Sequence, residues 1–238
     1  MCDPAQDRVL VIAAHPDDEV LGCGGAIARL AREGHEVHIA ILGEGVTSRY
    51  QGREKADQTE VRELRARAHE VAALLGARDL IMCDLPDNRF DTIPLLDVVK
   101  TVEGFVDGIR PRAIYTHHGG DLNIDHAVVH RAVLTATRPI PGCSVKDIYT
   151  FEVPSSTEWS FGQFATPFQP LVFVDIRETL GVKLQAMQLY GSECRAFPHP
   201  RSSDVVKAMA QRWGSVVGLQ AVEAFGLVRS VRQAGGGK

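Results

Sequence analysis

The stretch Val11-Ile12-Ala13-Ala14-His15-Pro16-Asp17-Asp18-Glu19, continuing through Val20 into Leu21-Gly22-Cys23-Gly24-Gly25, decides the reading of this chain. An apolar run ends abruptly in a histidine and two consecutive carboxylates. A buried strand does not normally deliver such groups at its tip, because each costs free energy when desolvated without a partner. A strand end of this composition is built to hold a metal ion and to activate a water molecule.

Outward from that point the chain alternates between two periods. Val9 to Ala14 is a continuous apolar run, as expected of a strand covered on both faces. Helical spacing follows over Gly24 to Glu33, closed by Gly34, and alternation over His35 to Leu42 predicts the next strand. Gln58 to Leu75 reads as a helix ended by Gly76, Asp79 to Cys83 as a strand, and Leu95 to Ile109 as a helix. Ala113 to His117 is a fourth strand and Asp125 to Ala136 a further helix. This order predicts an α/β three-layer sandwich, a mostly parallel Rossmann-like sheet flanked by helices. In such sheets reactive groups gather beyond the carboxyl ends of the strands, where His15, Leu85 to Asp91 and His117 to Asp125 all emerge.

The last third changes character. Lys146 to Val153 and Leu171 to Asp175 read as strands, separated by a Pro/Ser/aromatic loop over Pro154 to Pro170. Ile176 to Tyr190 and Ala208 to Phe225 read as helices, and Gly235-Gly236-Gly237 as a frayed tail. The organisation expected is one domain over residues 1–238. Its core is residues 1–140, and a smaller β/α extension over 141–238 completes the pocket.

Composition narrows the function classes. The chain has 238 residues, 45% hydrophobic and 24% charged, with a net charge of −4 and a pI near 6.1. Nothing in that balance draws it to nucleic acid or to an anionic membrane. No apolar run approaches the roughly 20 residues of a membrane span, and Met1 to Asp7 lacks the basic and apolar regions of a signal peptide. Five scattered cysteines with no C-x-x-C pair suit reduced thiols and a cytoplasmic location. Cys23 lies near the acidic motif, but between two glycines it reads as a small packing residue rather than a nucleophile.

Ala14-His15-Pro16-Asp17-Asp18 with Glu19-Val20-Leu21-Gly22-Cys23-Gly24-Gly25 resembles the signature of the PIG-L / LmbE-like zinc-dependent N-deacetylases, which hydrolyse N-acetyl groups of amino sugars and their conjugates. The resemblance runs from Arg8 to about Ala136. It implies that His15 and Asp18 are zinc ligands and that Asp17 is the general base. The chemistry agrees, because neighbouring side chains at a strand-to-helix turn diverge, so one carboxylate can bind metal while the other faces water. The competing reading is that either aspartate caps the following helix. Within Thr116-His117-His118-Gly119-Gly120-Asp121-Leu122-Asn123-Ile124-Asp125-His126, the family's His-x-x-His element implies His126 as third ligand, ahead of its rival His130 by motif register. Asn123 stands where many relatives carry a histidine, leaving Asn123 or His118 as oxyanion donor and the leaving-group acid open between Asp17, His118 and Asp121. Asp121 and Asp125 also read as groups that orient histidines.

The substrate wall is drawn from less specific signals. The resemblance suggests Arg65, on a helix, as a substrate contact, although charged helix residues are more often a solvated face. Arg89 and its neighbours sit at the pocket rim or form a plain turn. His199 and Arg201, on a proline-braced loop, form either a wall that recognises substrate or an ordinary surface loop. Trp159, Phe161, Phe164 and Phe168 read as an aromatic lid or as core cover. The expected function is a Zn2+-dependent hydrolase of a small N-acetylated amino sugar or glycoconjugate, with iron, manganese or cobalt also suited to the ligand types. The alternatives are a non-catalytic sugar-binding module and, on the incomplete Gly22-x-Gly24 pattern, a dinucleotide-dependent transferase. Ser155 to Pro170 is a candidate homo-oligomer interface.

Overall fold

β1 (Arg8–Ala13) has five of its six residues buried, and its side chains divide between two apolar clusters. Val9, Val11 and Ala13 join one cluster, while Leu10, Ile12 and the following Ala14 join the other. A continuous apolar run is what a strand needs when both of its faces meet helices. In the computed structural model, which describes residues 8–232, β1 lies near the middle of a seven-stranded sheet of order β3-β2-β1-β4-β5-β7-β6. The other strands are β2 (Glu36–Gly43), β3 (Asp79–Leu85), β4 (Ala113–His117), β5 (Asp147–Phe151), β6 (Val172–Asp175) and β7 (Val222–Ser230). β1 to β5 pair in parallel, and β7 runs antiparallel to both β5 and β6.

Residues of α1 (Asp18–Arg32), α2 (Gln58–Leu75) and α5 (Leu180–Leu189) share the first cluster. Residues of α3 (Leu95–Ile109) and α4 (Ile124–Ala136) share the second, so the sheet lies between two helical layers. α6 (Ser203–Val217) packs near the antiparallel edge, where its Ala210 meets Ile176 and Ala221. The chain leaves β1 outward to β2 and β3, then returns to β4 on the other side of β1. That reversal opens a crevice beyond the ends of β1 and β4. Residues 141–232 add β5, β6 and β7 to the same sheet.

Three elements differ from the sequence reading, among them the helix expected over Ile176 to Tyr190, which as α5 begins only at Leu180. The helix expected over Ala208 to Phe225 is α6, which stops at Val217 with Gly218 in the left-handed conformation (φ 74°), followed by β7. The apolar residues after Gly218 continue a plausible helical spacing. Their strand conformation is set instead by pairing with β5 and β6, partners distant in sequence. The first helix begins six residues before the expected Gly24, at Asp18, and is broken at Cys23 (φ −150°, ψ 20°). The Gly-rich tail at 235–237 lies outside the described residues.

The break in α1 is stitched from across the fold. Glu223 of β7 accepts the Gly25 and Ala26 N–H groups at 2.9 and 2.6 Å, capping the helix where it restarts. Lys183 of α5 donates to the freed Leu21 carbonyl at 2.8 Å and to Glu223 at 2.6 Å. Both side chains are buried. Two glycines beside the break are required by contact: a Cβ on Gly22 would stand 2.2 Å from Phe151, and one on Gly25 2.9 Å from Ile176. Burial also raises the Cys23 thiol well above its usual pKa, in keeping with a packing role.

Removing one member of a buried ion pair leaves an uncompensated charge. Glu223→Ala should therefore cost about 3–5 kcal/mol in urea unfolding. A loss below about 1 kcal/mol, the scale of an exposed pair, would contradict this account of the break.

Candidate metal and active site

His15 leaves the end of β1, Asp18 opens α1, and His126 lies in the first turn of α4, so three elements converge on the crevice. Their ligand atoms all lie within 4.8 Å of one another. Asp18 Oδ2 stands 3.3 Å from His15 Nδ1 and 3.2 Å from His126 Nε2. Ligands bound at 2.0–2.1 Å around a tetrahedral metal lie roughly 3.3 Å apart, so the spacing fits such an ion. His126 Nε2 and Nδ1, and the Asp18 oxygen Oδ1 that faces away from the two histidine contacts, are buried without a hydrogen-bond partner. Buried polar atoms are rarely left so, and two nitrogens and a carboxylate are a donor set suited to zinc.

Neighbouring groups orient these ligands. His15 directs its other nitrogen, Nε2, to Asp125 Oδ2 at 2.8 Å. Asp125 is fixed in turn by the backbone N–H groups of Asn88 and Phe90 at 2.7 and 2.9 Å. His126 Nδ1 lies 3.2 Å from Asp121 Oδ1, and Asp121 is held by the Ser156 and Thr157 hydroxyls and by the Asn123 N–H. This carboxylate–histidine arrangement sets ring orientation and ligand basicity. A second grouping, His15 with Asp87 and Asp125, uses the His15 nitrogen already engaged by Asp125, so the Asp18/His126 set is the better cradle. Asp87 instead accepts the Ser48 N–H at 3.0 Å and stands 3.3 Å from His15 Nε2.

The electrostatics favour positive charge at this point. Burial alone would neutralise the groups. Against that burial, the adjacent His126 and His117 rings hold the Asp18 carboxyl well below its usual pKa. Burial pushes His126 down, yet Asp18 and Asp121 lift it to about 9. His15 likewise rises above its usual value, with Asp125 and Asp18 outweighing burial.

Asp17 faces elsewhere. It occupies the position before α1 with φ 118° and ψ −30°, and its side chain caps no helical N–H. Its Oδ2 instead accepts Arg201 Nη1 at 2.6 Å. The cap reading therefore fails for Asp17 and also for Asp18, whose Oδ2 accepts the His15 N–H at 2.8 Å. Burial raises the Asp17 carboxyl well above the usual range, with Arg201 opposing. Glu19 braces the turn, accepting the Asp17 N–H at 3.1 Å and the Tyr190 hydroxyl at 2.5 Å.

His15 and Asp17 open onto a cavity of about 320 Å3 whose walls include Asp87, Asn88, Asn123, Trp159, His199 and Arg201. Asn123 caps α4 through Oδ1 and donates from Nδ2 to Asn88 Oδ1 at 2.9 Å, which leaves one Nδ2 hydrogen unassigned. Several expected residues are not brought to this cavity. Arg65 hydrogen-bonds the Met82 and Cys83 carbonyls and the Asp84 carboxylate, covering the edge of β3. His118 bonds the Thr166 carbonyl at 3.0 Å beneath the aromatic loop. Arg89 is exposed and lines no part of the cavity. Asp121 is committed to His126 and the two hydroxyls rather than to the cavity. His130 turns to the His117 carbonyl at 2.9 Å and away from the cradle. The four aromatics do not form one lid: Trp159 reaches the cavity, Phe161 and Phe164 are exposed, and Phe168 packs on His118 and Trp213.

Sequence reasoning gives no role to Glu193, places Asp87 only at the pocket rim beside Arg89, and leaves His117 between function and a hydrogen-bonded strand end. His117 is fully buried, stacks on His126 at 3.9 Å and accepts the Ala14 N–H through Nε2 at 2.8 Å. Its place at the end of β4 was the available signal. Glu193, whose partners lie far along the chain, offered none.

Comparison with known proteins places this geometry in context. The chain is 28% identical over 190 residues to the uncharacterized deacetylase YaiS of Escherichia coli K12, covering 77% of this chain and 90% of that one. It is 26% identical over 194 residues to a probable N-acetyl-alpha-D-glucosaminyl L-malate deacetylase 2 of Bacillus cereus, covering 79% and 84%. The fold matches the N,N'-diacetylchitobiose deacetylase of Pyrococcus horikoshii with a TM-score of 0.76 at 19% identity, over 94% of this chain and 84% of that one. It also matches GalB, the 4-carboxy-2-hydroxymuconate hydratase of Pseudomonas putida, with a TM-score of 0.74 at 20% identity, over 97% and 99%. Residues 10–137, which carry most of β1 through α4 together with His15, Asp18 and His126, match the family described as PIG-L, GlcNAc-PI de-N-acetylase, and the chain belongs to that family.

Proposed function

We propose that this chain is a zinc-dependent hydrolase that removes the acetyl group from an N-acetylated amino sugar or glycoconjugate. The observation that carries this reading is a buried His15/Asp18/His126 cradle in which His126 Nε2 has no hydrogen-bond partner, beside a second buried carboxylate, Asp17, that lines a cavity. A zinc ion in that cradle supplies a Lewis acid for the amide carbonyl and lowers the pKa of water towards about 7.

The chain's own groups do the rest. Asp17 takes a proton from the attacking water as the C–O bond forms, and returns it to nitrogen as the C–N bond breaks. The products are the free amine and acetic acid, which then ionises. The remaining Nδ2 hydrogen of Asn123, which lines the cavity, is a donor to the developing oxyanion. Trp159 offers an apolar face to a sugar ring, and Asp87, Asn88 and His199 offer polar groups to its hydroxyls. Free cysteines at positions 23, 83, 143 and 194 suit the proposed cytoplasmic location.

A hydratase shares the fold, so fold alone does not choose the reaction. The sequence relatives named above, both deacetylases, favour amide hydrolysis. A sugar-binding module without turnover remains the contrasting reading, and the two separate experimentally.

Metal analysis should find about one zinc per chain, lost in Asp18→Ala and His126→Ala and retained in His130→Ala. Asp17→Asn should keep the metal and lose about a hundredfold or more in kcat for amine release from N-acetylglucosamine or N,N'-diacetylchitobiose. Metal-loaded wild type that binds these sugars without releasing amine would establish the binding module instead.

A further inference from the structure

Arg201 reaches Asp17 across 184 residues of sequence. Its guanidinium is divided among three contacts. Nη1 donates to Asp17 Oδ2 at 2.6 Å, Nε donates to the Ser155 hydroxyl at 2.8 Å, and Glu193 Oε2 lies 3.6 Å from Nη1. Glu193 is itself buried and takes both of its oxygens to Arg49 Nη2, at 2.6 and 2.8 Å. Arg49, Glu193, Arg201 and Asp17 thus form a row of alternating charges. The row ties together the loop after β2, the loop before α6 and the turn after β1, with Ser155 bringing in the loop after β5.

The row ends on the carboxylate whose backbone is held in a conformation that an L-residue rarely adopts, φ 118°. Such a conformation persists only where the surroundings over-determine it. Among the described residues, Asp17 Oδ2 is bonded to Arg201 while Oδ1 has no protein hydrogen-bond partner. A planar guanidinium fixed at Nε and Nη1 holds one carboxylate oxygen in one direction, and thereby sets where the other points.

We propose that Arg201 is a positioning residue for Asp17, pinning Oδ2 so that Oδ1 alone serves the water and the leaving nitrogen, with Glu193 and Arg49 bracing the guanidinium from behind. This inference rests on Asp17 as general base. It assigns Arg201 to the base rather than to a charged group of the substrate. The consequence is kinetic: Arg201 acts on turnover and not on substrate affinity.

The test compares Arg201→Ala, Arg201→Lys, Glu193→Gln and Asp17→Asn, each purified with zinc and assayed for amine release from N,N'-diacetylchitobiose. Arg201→Ala should lower kcat about tenfold to a hundredfold, as loss of an orienting partner does, with KM within about twofold of wild type. Guanidinium added to Arg201→Ala should restore part of the lost kcat. Arg201→Lys, which cannot hold Ser155 and Asp17 together, should fall between the two. Glu193→Gln should lower kcat by a smaller factor at unchanged KM. It carries the test alone should the Arg201 variants fail to fold.

A rise in KM at unchanged kcat would overturn the proposal and make Arg201 a substrate contact. Wild-type kcat and KM in Arg201→Ala, or in Glu193→Gln where that variant stands alone, would overturn it as well. Asp17→Asn separates the two layers of the argument. Full turnover in that variant defeats the general-base reading, whereas an inactive Asp17→Asn beside a fully active Arg201→Ala defeats the positioning role only. A readout independent of activity is the melting temperature of the metal-free proteins. The double variant Asp17→Asn/Arg201→Gln should melt above Arg201→Gln, because the single change leaves a buried carboxylate unpaired. A double variant that melts below the single one would count against a coupled pair.

Discussion

The turn that follows β1 has to send three polar side chains in different directions within four residues, and the rest of the site depends on how it does so. His15 turns to Asp125 and the cradle, Asp18 turns to His126, and Asp17 turns away to Arg201. The divergence is imposed by the backbone at Asp17, whose positive φ costs on the order of 1–3 kcal/mol for a non-glycine residue. Groups from every side oppose that cost. Ala14 bonds His117 and Gly43, Glu19 takes the Asp17 N–H, and the Lys183–Glu223 pair fixes α1 just beyond the turn. A strand end at the reversal of strand order is a natural place for this, because neighbouring loops can all reach it.

Burial then determines what the turn can do. Asp17, Asp18, Asp121, Asp125 and Glu19 are all buried within or beside one crevice, and charges removed from water carry a penalty of several kcal/mol each. Each is answered specifically: Asp125 and Glu19 by backbone N–H groups, Asp121 by hydroxyls, Asp17 by Arg201 and Asp18 by histidines. Asp18 Oδ1 and the His126 ring nitrogens still lack a hydrogen-bond partner. A divalent cation would satisfy a carboxylate and imidazoles together, and this is the physical ground for the metal centre proposed here.

What was legible in the sequence follows the range of the interactions. β1 showed itself because both of its faces are buried within one short run, and Gly76 marked the end of α2 by its own left-handed conformation. His15, Asp18 and His126 were legible because two local motifs carry them. Arg65 misled because a helix arginine near the motif looks the same whether it meets a substrate or covers the edge carbonyls of β3. β7 was hidden because pairing with distant β5 and β6, rather than local spacing, gives it strand form. Glu193, Arg49 and the buried Lys183–Glu223 pair were illegible for the same reason: each meaning comes from a partner far along the chain.

This division also separates chemistry from selectivity. The family match ends at residue 137 and includes His15, Asp17, Asp18 and His126. Of the cavity walls, Ser155, Trp159, Glu193, Arg195, His199 and Arg201 all come later. Those later residues sit on the loop after β5 and the loop before α6, whose conformations are set by a few long-range contacts such as Arg201–Ser155 and Trp159–His199. The loop after β5 is itself anchored, with Ser156, Thr157 and Ser160 buried and the first two bonded to Asp121, while Trp159 is exposed at the cavity. Another long-range contact, Arg201–Asp17, reaches back into the motif. Through it the cavity wall touches the group proposed as base, so on the proposed reading a change in the wall would alter turnover as well as the choice of substrate.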